Sequence, residues 1–233
     1  MKPTKIIAEI GINHNGDVEV AKRLMDIAKI AGCDFVKFQK RNPDICVPES
    51  QKNKMKKVPW NKEEITYLQY KKDIEFNKEE YKELFYYAET IGIGMFASIW
   101  DLDSARFMKE FTDIAKIPSA LLTDWDLLDF CRENFNERIL STGMSTEEEI
   151  ENAVLAFQPT VLLHTNSSYP TPIEELNFGY IPWLQKKYPN IDVGYSNHYY
   201  GIVPMFASVA MGCSWIACPP RMKKSSVNPH PPT

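Results

Sequence analysis

Two short apolar runs lie within residues 5–39. The first is Lys5-Ile6-Ile7-Ala8-Glu9-Ile10 and the second is Asp34-Phe35-Val36-Lys37-Phe38-Gln39. Between the two runs, from about Val18 to Ala31, apolar residues recur with the spacing of one face of a helix. Two short strand patterns that flank a helix are typical of a parallel βαβ unit. This first unit therefore predicts an α/β fold.

The same alternation continues along the chain. A helix is predicted from about Lys78 to Ile91, and Ser145-Thr146 followed by three glutamates is a helix start. A polar, lysine-rich insertion fills roughly residues 41–75. A doubly wound sheet and a closed barrel both fit eight alternating strands, but the count and the length favour a (β/α)8 TIM barrel over residues 1–218. The further strand patterns are residues 94–98, 114–117, 139–141, 161–164, 191–194 and 214–217.

Composition excludes several classes of protein. Apolar residues make up 44% of the 233 residues and charged residues 25%, which excludes a disordered chain, a collagen-like fibre and a coiled coil. The net charge of -4 leaves no surplus of basic residues for binding a nucleic acid. The sequence also contains no basic helix pattern of the kind that binds a membrane surface. Residues 201–220 are uncharged, but their glycines and prolines favour a buried helix and strand over a membrane span. Neither a nucleic acid nor a membrane is therefore expected as a partner.

Five cysteines are present, an odd number, and no CxxC pair occurs among them. This spacing argues against a disulfide framework or a zinc ribbon. The N-terminal apolar run is too short and too charged for a signal peptide. Free thiols without a leader predict a cytoplasmic protein.

Reactive side chains recur where the predicted strands end, which is where TIM barrels carry their chemistry. Lys37 and Lys116 lie within apolar strands, and burying a lone ammonium is costly, so each needs an anion nearby. Three interpretations fit these lysines: a structural ion pair with Glu9, a bound phosphate or carboxylate, or a Schiff-base role for Lys116. The strand-end set comprises Glu9, Asn13, His14, Lys37, Gln39, Ser98, Lys116, Ser119, Ser141, Thr142, Gly143, His164, Ser167, Ser196, Asn197 and His198.

Other site signatures are weak or missing. Each of His14, His164 and His198, taken alone, is more typical of a hydrogen-bonded core histidine than of a ligand, because a metal site needs two or three converging donors. The sequence contains no Walker-type loop, no GxGxxG and no GxSxG elbow. Anion binding at the strand ends is thus the best-supported chemistry.

Six ordered motifs, spread over residues 6 to about 216, resemble the sialic acid synthase (N-acetylneuraminate synthase) family. A seventh stretch, Thr66–Lys71, resembles that family's loop after the second strand. The resemblance identifies a phosphoenolpyruvate-condensing barrel domain. The six motifs are AEIGINHNG at 8–16, VKFQ at 36–39, KIPS at 116–119, LSTGM at 140–144, SSYPTP at 167–172 and GYSNH at 194–198.

The resemblance implies a reaction, a fold and partners. The family condenses phosphoenolpyruvate with N-acetylmannosamine, its 6-phosphate or a related N-acyl amino sugar, and gives a nine-carbon 2-keto acid plus phosphate. A (β/α)8 barrel followed by a small antifreeze-like domain is implied, as is a homodimer. A divalent metal, manganese or magnesium, is expected to polarise the sugar aldehyde as a Lewis acid.

The resemblance also implies roles for individual residues. Glu9, Lys37 and Lys116 fall at catalytic positions, and Gln39, Asn61 and Tyr169 fall where the sugar is held. His198 falls on the first metal ligand. The phosphoenolpyruvate-binding positions are Lys37, Ser98, Lys116, Ser119, Ser141, Ser167 and Ser196.

Four positions depart from the family pattern. Pro219 stands where the second metal histidine is expected, and Cys218 is a substitute donor only in principle, since thiolate is a poor manganese ligand. Leu121 replaces a sugar-binding acid, which points to a different acyl amino sugar such as a legionaminic or pseudaminic acid precursor. Asn197 replaces an aspartate.

Residues 219–233 resemble neither the family nor folded sequence, and an irregular tail is expected there. A C-terminal truncation or a shifted reading frame is therefore predicted, with the eighth helix and the antifreeze-like domain missing. A barrel that binds phosphoenolpyruvate or phosphate without turning it over is the alternative function.

Overall fold

The computed structural model describes residues 3–219. Helices and strands alternate along most of this range. In chain order the elements are β1 (Lys5–Gly11), α1 (Val18–Ile30), β2 (Phe35–Lys40), α2 (Pro43–Cys46), α3 (Glu49–Lys52), β3 (Met55–Lys56), β4 (Ile65–Thr66), α4 (Tyr67–Asp73), α5 (Lys78–Ile91), β5 (Gly94–Ile99), α6 (Leu102–Lys109), β6 (Ile114–Ile117), α7 (Trp125–Asn134), β7 (Glu137–Ser141), α8 (Glu147–Phe157), β8 (Val161–Thr165), α9 (Tyr180–Lys187), β9 (Asp192–Ser196), α10 (Val203–Ala210) and β10 (Trp215–Cys218).

Eight of these strands close into a barrel in the order β1-β10-β9-β8-β7-β6-β5-β2. Neighbouring strands run parallel, and β1 closes the ring by pairing with both β10 and β2. The eight predicted strands are the eight barrel strands, each displaced by no more than two residues at either end. The (β/α)8 prediction is therefore confirmed for the described residues.

Capping residues explain where the helices begin. Thr146 accepts a hydrogen bond from the backbone of Glu149, whose carboxylate binds the Thr146 backbone in return. The negative charges of the glutamates in this first turn also stabilise the helix, because they lie at the positive end of its dipole. Asn77 and Glu80 form the same arrangement at α5, and Gly92 ends that helix in the left-handed conformation at φ 69°.

Residues 41–75 form a small substructure between β2 and α5. It contains α2, α3, α4 and the antiparallel pair β3 and β4. Its own apolar cluster consists of Val58, Tyr70 and Ile74, separate from the main core. The insertion thus folds against the C-terminal end of β2, beside the residues that β2 carries into the barrel.

Alternation along the strands builds the barrel interior. An apolar inner layer fills the lower part of the barrel and is distinct from the core between strands and helices. Side chains two residues apart on a strand face the same side. The residues two positions further on therefore point into the upper part of the barrel. The inner layer comprises Ile7, Phe96, Ile139, Val161, Leu163, Trp215 and Ala217, with Phe35 and Ile114 packed against it.

The uncharged stretch after residue 200 forms α10 and β10. Within residues 3–219, no helix has both the length and the apolar character needed to cross a membrane. Phe206 and Val203 on α10 are 70% and 71% exposed, so that helix is less buried than predicted. The predicted tail from Pro220 onward and the predicted loss of an eighth helix lie outside the described residues.

Candidate functional site

The upper part of the barrel interior is polar. Five of its residues lie two positions further along their strands than a residue of the apolar inner layer or a residue packed against it. The sixth, Ser196, lies two positions after Gly194, which packs on Trp215. The strand-end residues of the sequence therefore converge at one mouth, the C-terminal end of the barrel. We call this set the polar layer: Glu9, Lys37, Ser98, Lys116, Ser141 and Ser196.

Lys37 is held by two neighbours in the polar layer. Its Nζ donates to Glu9 Oε1 at 2.7 Å and to Ser98 Oγ at 2.9 Å. Strand register makes these contacts, because Glu9 pairs with Lys37 across β1 and β2, and β5 follows next to β2. Only 2% of Lys37 is exposed, so the ion pair is screened little by water.

Lys116 has a different environment. It pairs in register with Ser98 and is 6% exposed. Within residues 3–219, no side chain or carbonyl accepts a hydrogen bond from its ammonium. Burial and the nearby Lys37 lower the pKa of Lys116 to about 7, although Glu9 acts in the opposite direction. Lys116 is thus a buried cation without a dedicated anion.

Glu9 is the one carboxylate of the polar layer. Burial alone would raise its pKa, but Lys37 and Lys116 outweigh burial and lower the pKa to about 2. The carboxylate is therefore ionised at neutral pH. Two buried lysines share this single negative charge, which leaves the polar layer with a surplus positive charge whenever Lys116 is protonated.

Hydroxyl groups complete the polar layer. Ser141 is 2% exposed, and its buried Oγ has no hydrogen-bond partner among the described residues. Such a group costs about 1–3 kcal/mol unless a ligand or water satisfies it. Ser119 Oγ accepts from the Gly143 backbone at 3.0 Å. A Cβ at Gly143 would lie 2.4 Å from Ser167 Oγ and 3.0 Å from Ser119 Oγ, so glycine lets these hydroxyls approach each other.

His198 lies just after β9, beside the polar layer. Its Nδ1 contacts the Asn166 carbonyl at 2.7 Å. A carbonyl only accepts, so Nδ1 carries the proton and Nε2 keeps its lone pair. Burial lowers the pKa of His198, which keeps the ring neutral at pH 7. Tyr169 packs edge-on against the ring, with centroids 5.2 Å apart.

The donors of the described residues do not complete a divalent-metal site. His198 supplies one imidazole with the carbonyl support that metal ligands commonly have. Pro219 supplies no donor. Cys218 follows Ala217 of the inner layer and therefore faces away from the barrel interior, and its Sγ lies 3.6 Å from the Ile7 carbonyl. Cys218 is thus not a substitute ligand at the mouth, and His198 is the donor that residues 3–219 supply there from the expected histidine pair.

The residues expected to hold the sugar separate into two groups. Gln39 lies at the mouth, with its Nε2 3.8 Å from the Cβ that Gly11 would carry. Tyr169 is 56% exposed at the same end of the barrel. Asn61 lies on the exposed turn between β3 and β4, where its Oδ1 accepts from the Glu63 backbone at 3.4 Å. The structure records no contact of Asn61 with the polar layer.

Three strand-end residues have structural roles. His14 stacks on Phe76 at 4.2 Å and its Nδ1 accepts from the Gly16 backbone, while burial lowers its pKa to about 4. His164 faces outward, and its Nε2 contacts the Leu176 carbonyl at 2.8 Å.

Asn197 bridges the loop after β9. Its Oδ1 accepts from Tyr195, and its Nδ2 donates to the Gly201 carbonyl. Leu121, in a short 3-10 turn after β6, packs against the core.

One group next to the site has no signal in the strand pattern. Arg41 lies just after β2 and contacts Gln39 through Nη2. Its Nε lies 3.1 Å from Glu75 Oε1, and Glu75 belongs to the insertion. The apolar run before Arg41 predicts a strand end, but only the folded insertion brings Glu75 to it.

Comparisons with known proteins identify relatives of this chain. The chain is 36% identical over 220 residues to N,N'-diacetyllegionaminic acid synthase of Campylobacter jejuni, covering 91% of this chain and 66% of that protein. It is 33% identical over 217 residues to human N-acetylneuraminate-9-phosphate synthase, covering 90% and 60% respectively. The chain thus spans less than two thirds of the length of these relatives.

Similarity extends to a solved structure and to a family profile. Sialic acid synthetase from Leptospira borgpetersenii, in complex with citrate, superposes with a TM-score of 0.84 at 32% identity, covering 94% of this chain and 73% of that one. The sequence profile of the NeuB family matches residues 24–218. Profile, relatives and barrel together show that this chain belongs to the NeuB family.

Proposed function

We propose that this barrel binds phosphoenolpyruvate in the polar layer and condenses it with an N-acyl amino sugar. The product is a 2-keto acid, nine carbons long when the sugar is N-acetylmannosamine, and inorganic phosphate is released. Relatives named as legionaminic acid and N-acetylneuraminate-9-phosphate synthases support this class of reaction.

One observation carries the proposal: the polar layer holds two buried lysines against one carboxylate. Lys37 is already paired with Glu9, whereas the Lys116 ammonium has no partner within residues 3–219. An anion that enters between them restores the protonated form of Lys116 and removes the cost of burying it alone. Ser141 Oγ, which is buried without a partner in residues 3–219, offers a further hydrogen bond to the same ligand.

Phosphoenolpyruvate fits this arrangement because it carries a phosphate and a carboxylate on one small skeleton. Lys37 and Lys116 bind the two anionic groups as point charges. The hydroxyls of Ser98, Ser119, Ser141, Ser167 and Ser196 are proposed to complete its hydrogen bonds.

Carbon–carbon bond formation joins C3 of phosphoenolpyruvate to the aldehyde carbon of the open-chain sugar, whose oxygen becomes a hydroxyl. Water adds at C2, and the C–O bond to phosphate breaks to leave the keto group. Glu9, ionised at neutral pH beside both lysines, is proposed to orient that water or to accept its proton.

The sugar is proposed to lie on the β2 side of the mouth, against Gln39 and Tyr169. Asn61 joins them only if the turn that carries it moves toward the mouth. Leu121 stands where the resemblance places a sugar-binding acid, and the missing charge supports a different acyl amino sugar as the substrate. The choice among acyl amino sugars, with or without a 6-phosphate, belongs to this part of the proposal.

A divalent metal at His198 remains a prediction. When bound, it would supply Lewis-acid polarisation of the sugar aldehyde. The steps above assign no role to the metal because Pro219 brings no donor. Metal dependence of the reaction is tested directly by adding manganese or a chelator.

Phosphate release from phosphoenolpyruvate tests the proposal. The full 233-residue chain is assayed with and without N-acetylmannosamine, its 6-phosphate and manganese. Release that depends on the sugar supports the condensation. Release that ignores the sugar, or none from a protein that is folded by circular dichroism, contradicts it.

Pro219 favours a second candidate function, a barrel that binds phosphoenolpyruvate without turnover. The polar layer needs no metal to hold an anion, so binding outlasts the loss of the second histidine. Calorimetry distinguishes the two functions, because phosphoenolpyruvate binding without phosphate release is the outcome that this second function requires.

Two further predictions concern the setting of the protein. A homodimer is proposed from the family resemblance, and light scattering of the purified chain measures it. A cytoplasmic location is proposed from the sequence, and fractionation of the source cells measures it.

A further inference from the structure

A buried ion pair lies directly behind Gln39. Arg41 is 8% exposed, and its Nε lies 3.1 Å from Glu75 Oε1. The Arg41 backbone N–H donates to the other oxygen of the same carboxylate at 3.3 Å. The guanidinium stacks on Trp100, 4.7 Å from the ring centroid. The Glu75 carboxylate and the Trp100 ring therefore restrain one long side chain that would otherwise have many rotamers.

The fixed guanidinium contacts the side-chain amide of Gln39. Arginine has five N–H donors and no acceptor, so the amide atom that faces Nη2 must be the oxygen Oε1. This assignment follows from chemistry, because the nitrogen of the amide would meet the guanidinium donor against donor.

The opposite end of the amide is then determined. Nε2 lies 3.8 Å from the Cβ position of Gly11, at the mouth end of β1. Nothing within residues 3–219 accepts a hydrogen bond from Nε2. Gln39 thus presents two free N–H hydrogens at the edge of the polar layer.

We propose that Arg41 is a positioning residue that fixes the Gln39 amide as a donor, so that the substrate must place an acceptor oxygen against Nε2. The inference rests on the proposed function, since it places the amino sugar at Gln39. An N-acyl carbonyl or a hydroxyl oxygen meets the requirement. A free ammonium, which only donates, does not.

Calorimetric titration of the full chain with N-acetylmannosamine and with its 6-phosphate tests this inference. Arg41→Met keeps the aliphatic stem and removes the donors, and it should weaken sugar binding about tenfold, the order of one hydrogen bond. Arg41→Lys keeps one donor and should recover part of the affinity. Arg106→Met is the matched control, because Arg106 pairs with Asp103 on the exposed face of α6 and should bind sugar normally.

A double-mutant cycle separates positioning from general disruption. If Arg41 acts through Gln39, then Gln39→Ala and Gln39→Ala/Arg41→Met bind sugar equally weakly. Additive losses in the double variant overturn the inference. Arg41→Met leaves the Glu75 carboxylate buried, so Arg41→Met/Glu75→Gln, which removes both charges, is measured if the single variant does not fold.

Phosphoenolpyruvate binding is the separate readout of the proposed function. Arg41→Met should leave it within about twofold of the wild type, since the lysines are untouched. If the wild type binds phosphoenolpyruvate but Arg41→Met binds sugar normally, or if the wild type binds neither sugar, the positioning inference fails alone. If the wild type binds no phosphoenolpyruvate, the proposed function fails, and the sugar titrations still decide the role of Arg41.

Discussion

Replacing Lys116 with methionine should make the ligand-free protein more stable while removing anion binding. Methionine has nearly the length and volume of the lysine stem and carries no charge to bury. The prediction is unusual, because most substitutions in a barrel interior destabilise the fold. It follows from the absence of a partner for this ammonium among the described residues.

The pKa of Lys116 determines the magnitude. Burial and the Lys37 ammonium, opposed by Glu9, lower that pKa from 10.5 to about 7. At about 1.4 kcal/mol per pKa unit, the native state at pH 7 carries on the order of 4 kcal/mol of unfavourable free energy. Between pH 7 and 10.5 the unfolded chain binds more protons than the native state. The unfolding free energy of the wild type therefore rises with pH across that window.

Urea unfolding at pH 7 and pH 9 measures the effect on the ligand-free protein. Lys116→Met should unfold at higher urea than the wild type at pH 7, and the gap should narrow at pH 9. Phosphoenolpyruvate should stabilise the wild type by mass action but not the variant. Lys72→Met serves as control, because Lys72 is 43% exposed and pairs with Asp44 on the surface. We expect it to change stability by less than about 0.5 kcal/mol.

A loss of stability in Lys116→Met would refute this reasoning. It would show that Lys116 is satisfied within the ligand-free protein and that the polar layer has no vacant anion site. Unchanged phosphoenolpyruvate binding would refute it equally, because the ligand would then not use Lys116.

Three further predictions concern the same layer. Glu9→Gln should bind phosphoenolpyruvate at least as tightly as the wild type by calorimetry but release phosphate at least about a hundredfold more slowly, and weaker binding would contradict this. The stability that the Glu9 carboxylate provides is present above pH 4.5 and is lost toward pH 2, where its pKa lies. Acid titration should therefore show a smaller loss of stability in the variant than in the wild type. Ser141→Ala should raise the unfolding free energy of the ligand-free protein by about 1 kcal/mol, because it removes a buried hydroxyl that has no partner among the described residues. The same variant should bind phosphoenolpyruvate more weakly. A variant that is less stable in urea unfolding would show that the hydroxyl is satisfied in the wild type. Borohydride with pyruvate should leave Lys116 unmodified by mass spectrometry, whereas a covalent adduct there would establish the Schiff-base reading.

The barrel could be predicted because its signals are local and repeated. Runs such as Phe35–Lys40 and Gly94–Ile99 carry β-branched and aromatic residues of strand length, and helices separate them. The polar layer was predictable for the same reason. Lys37 lies two residues after Phe35, and Ser98 two residues after Phe96, so the period of two that marks the strand also directs the side chain inward.

Contacts across the insertion could not be predicted. Glu75 meets Arg41 only after residues 41–75 fold, and no period or cap in the sequence links the two positions. His14 is the opposite case: the sequence predicts a site residue at a strand end, but in the fold its ring stacks on Phe76 and has a packing role. Tertiary packing settles both outcomes, and a single sequence carries no local signal for either.

A crystal structure of the full chain with phosphoenolpyruvate tests the central claim most directly. The phosphate and carboxylate should lie within hydrogen-bond distance of Lys37 and Lys116, with Ser141 Oγ donating to one of them. A cavity of about 560 Å³ between the loops after β7 and β8, lined by Ser167 together with Met144, His164 and Tyr180 but by neither lysine, offers a contrasting place for the ligand. Ligand density there, with the lysines untouched, would contradict the account.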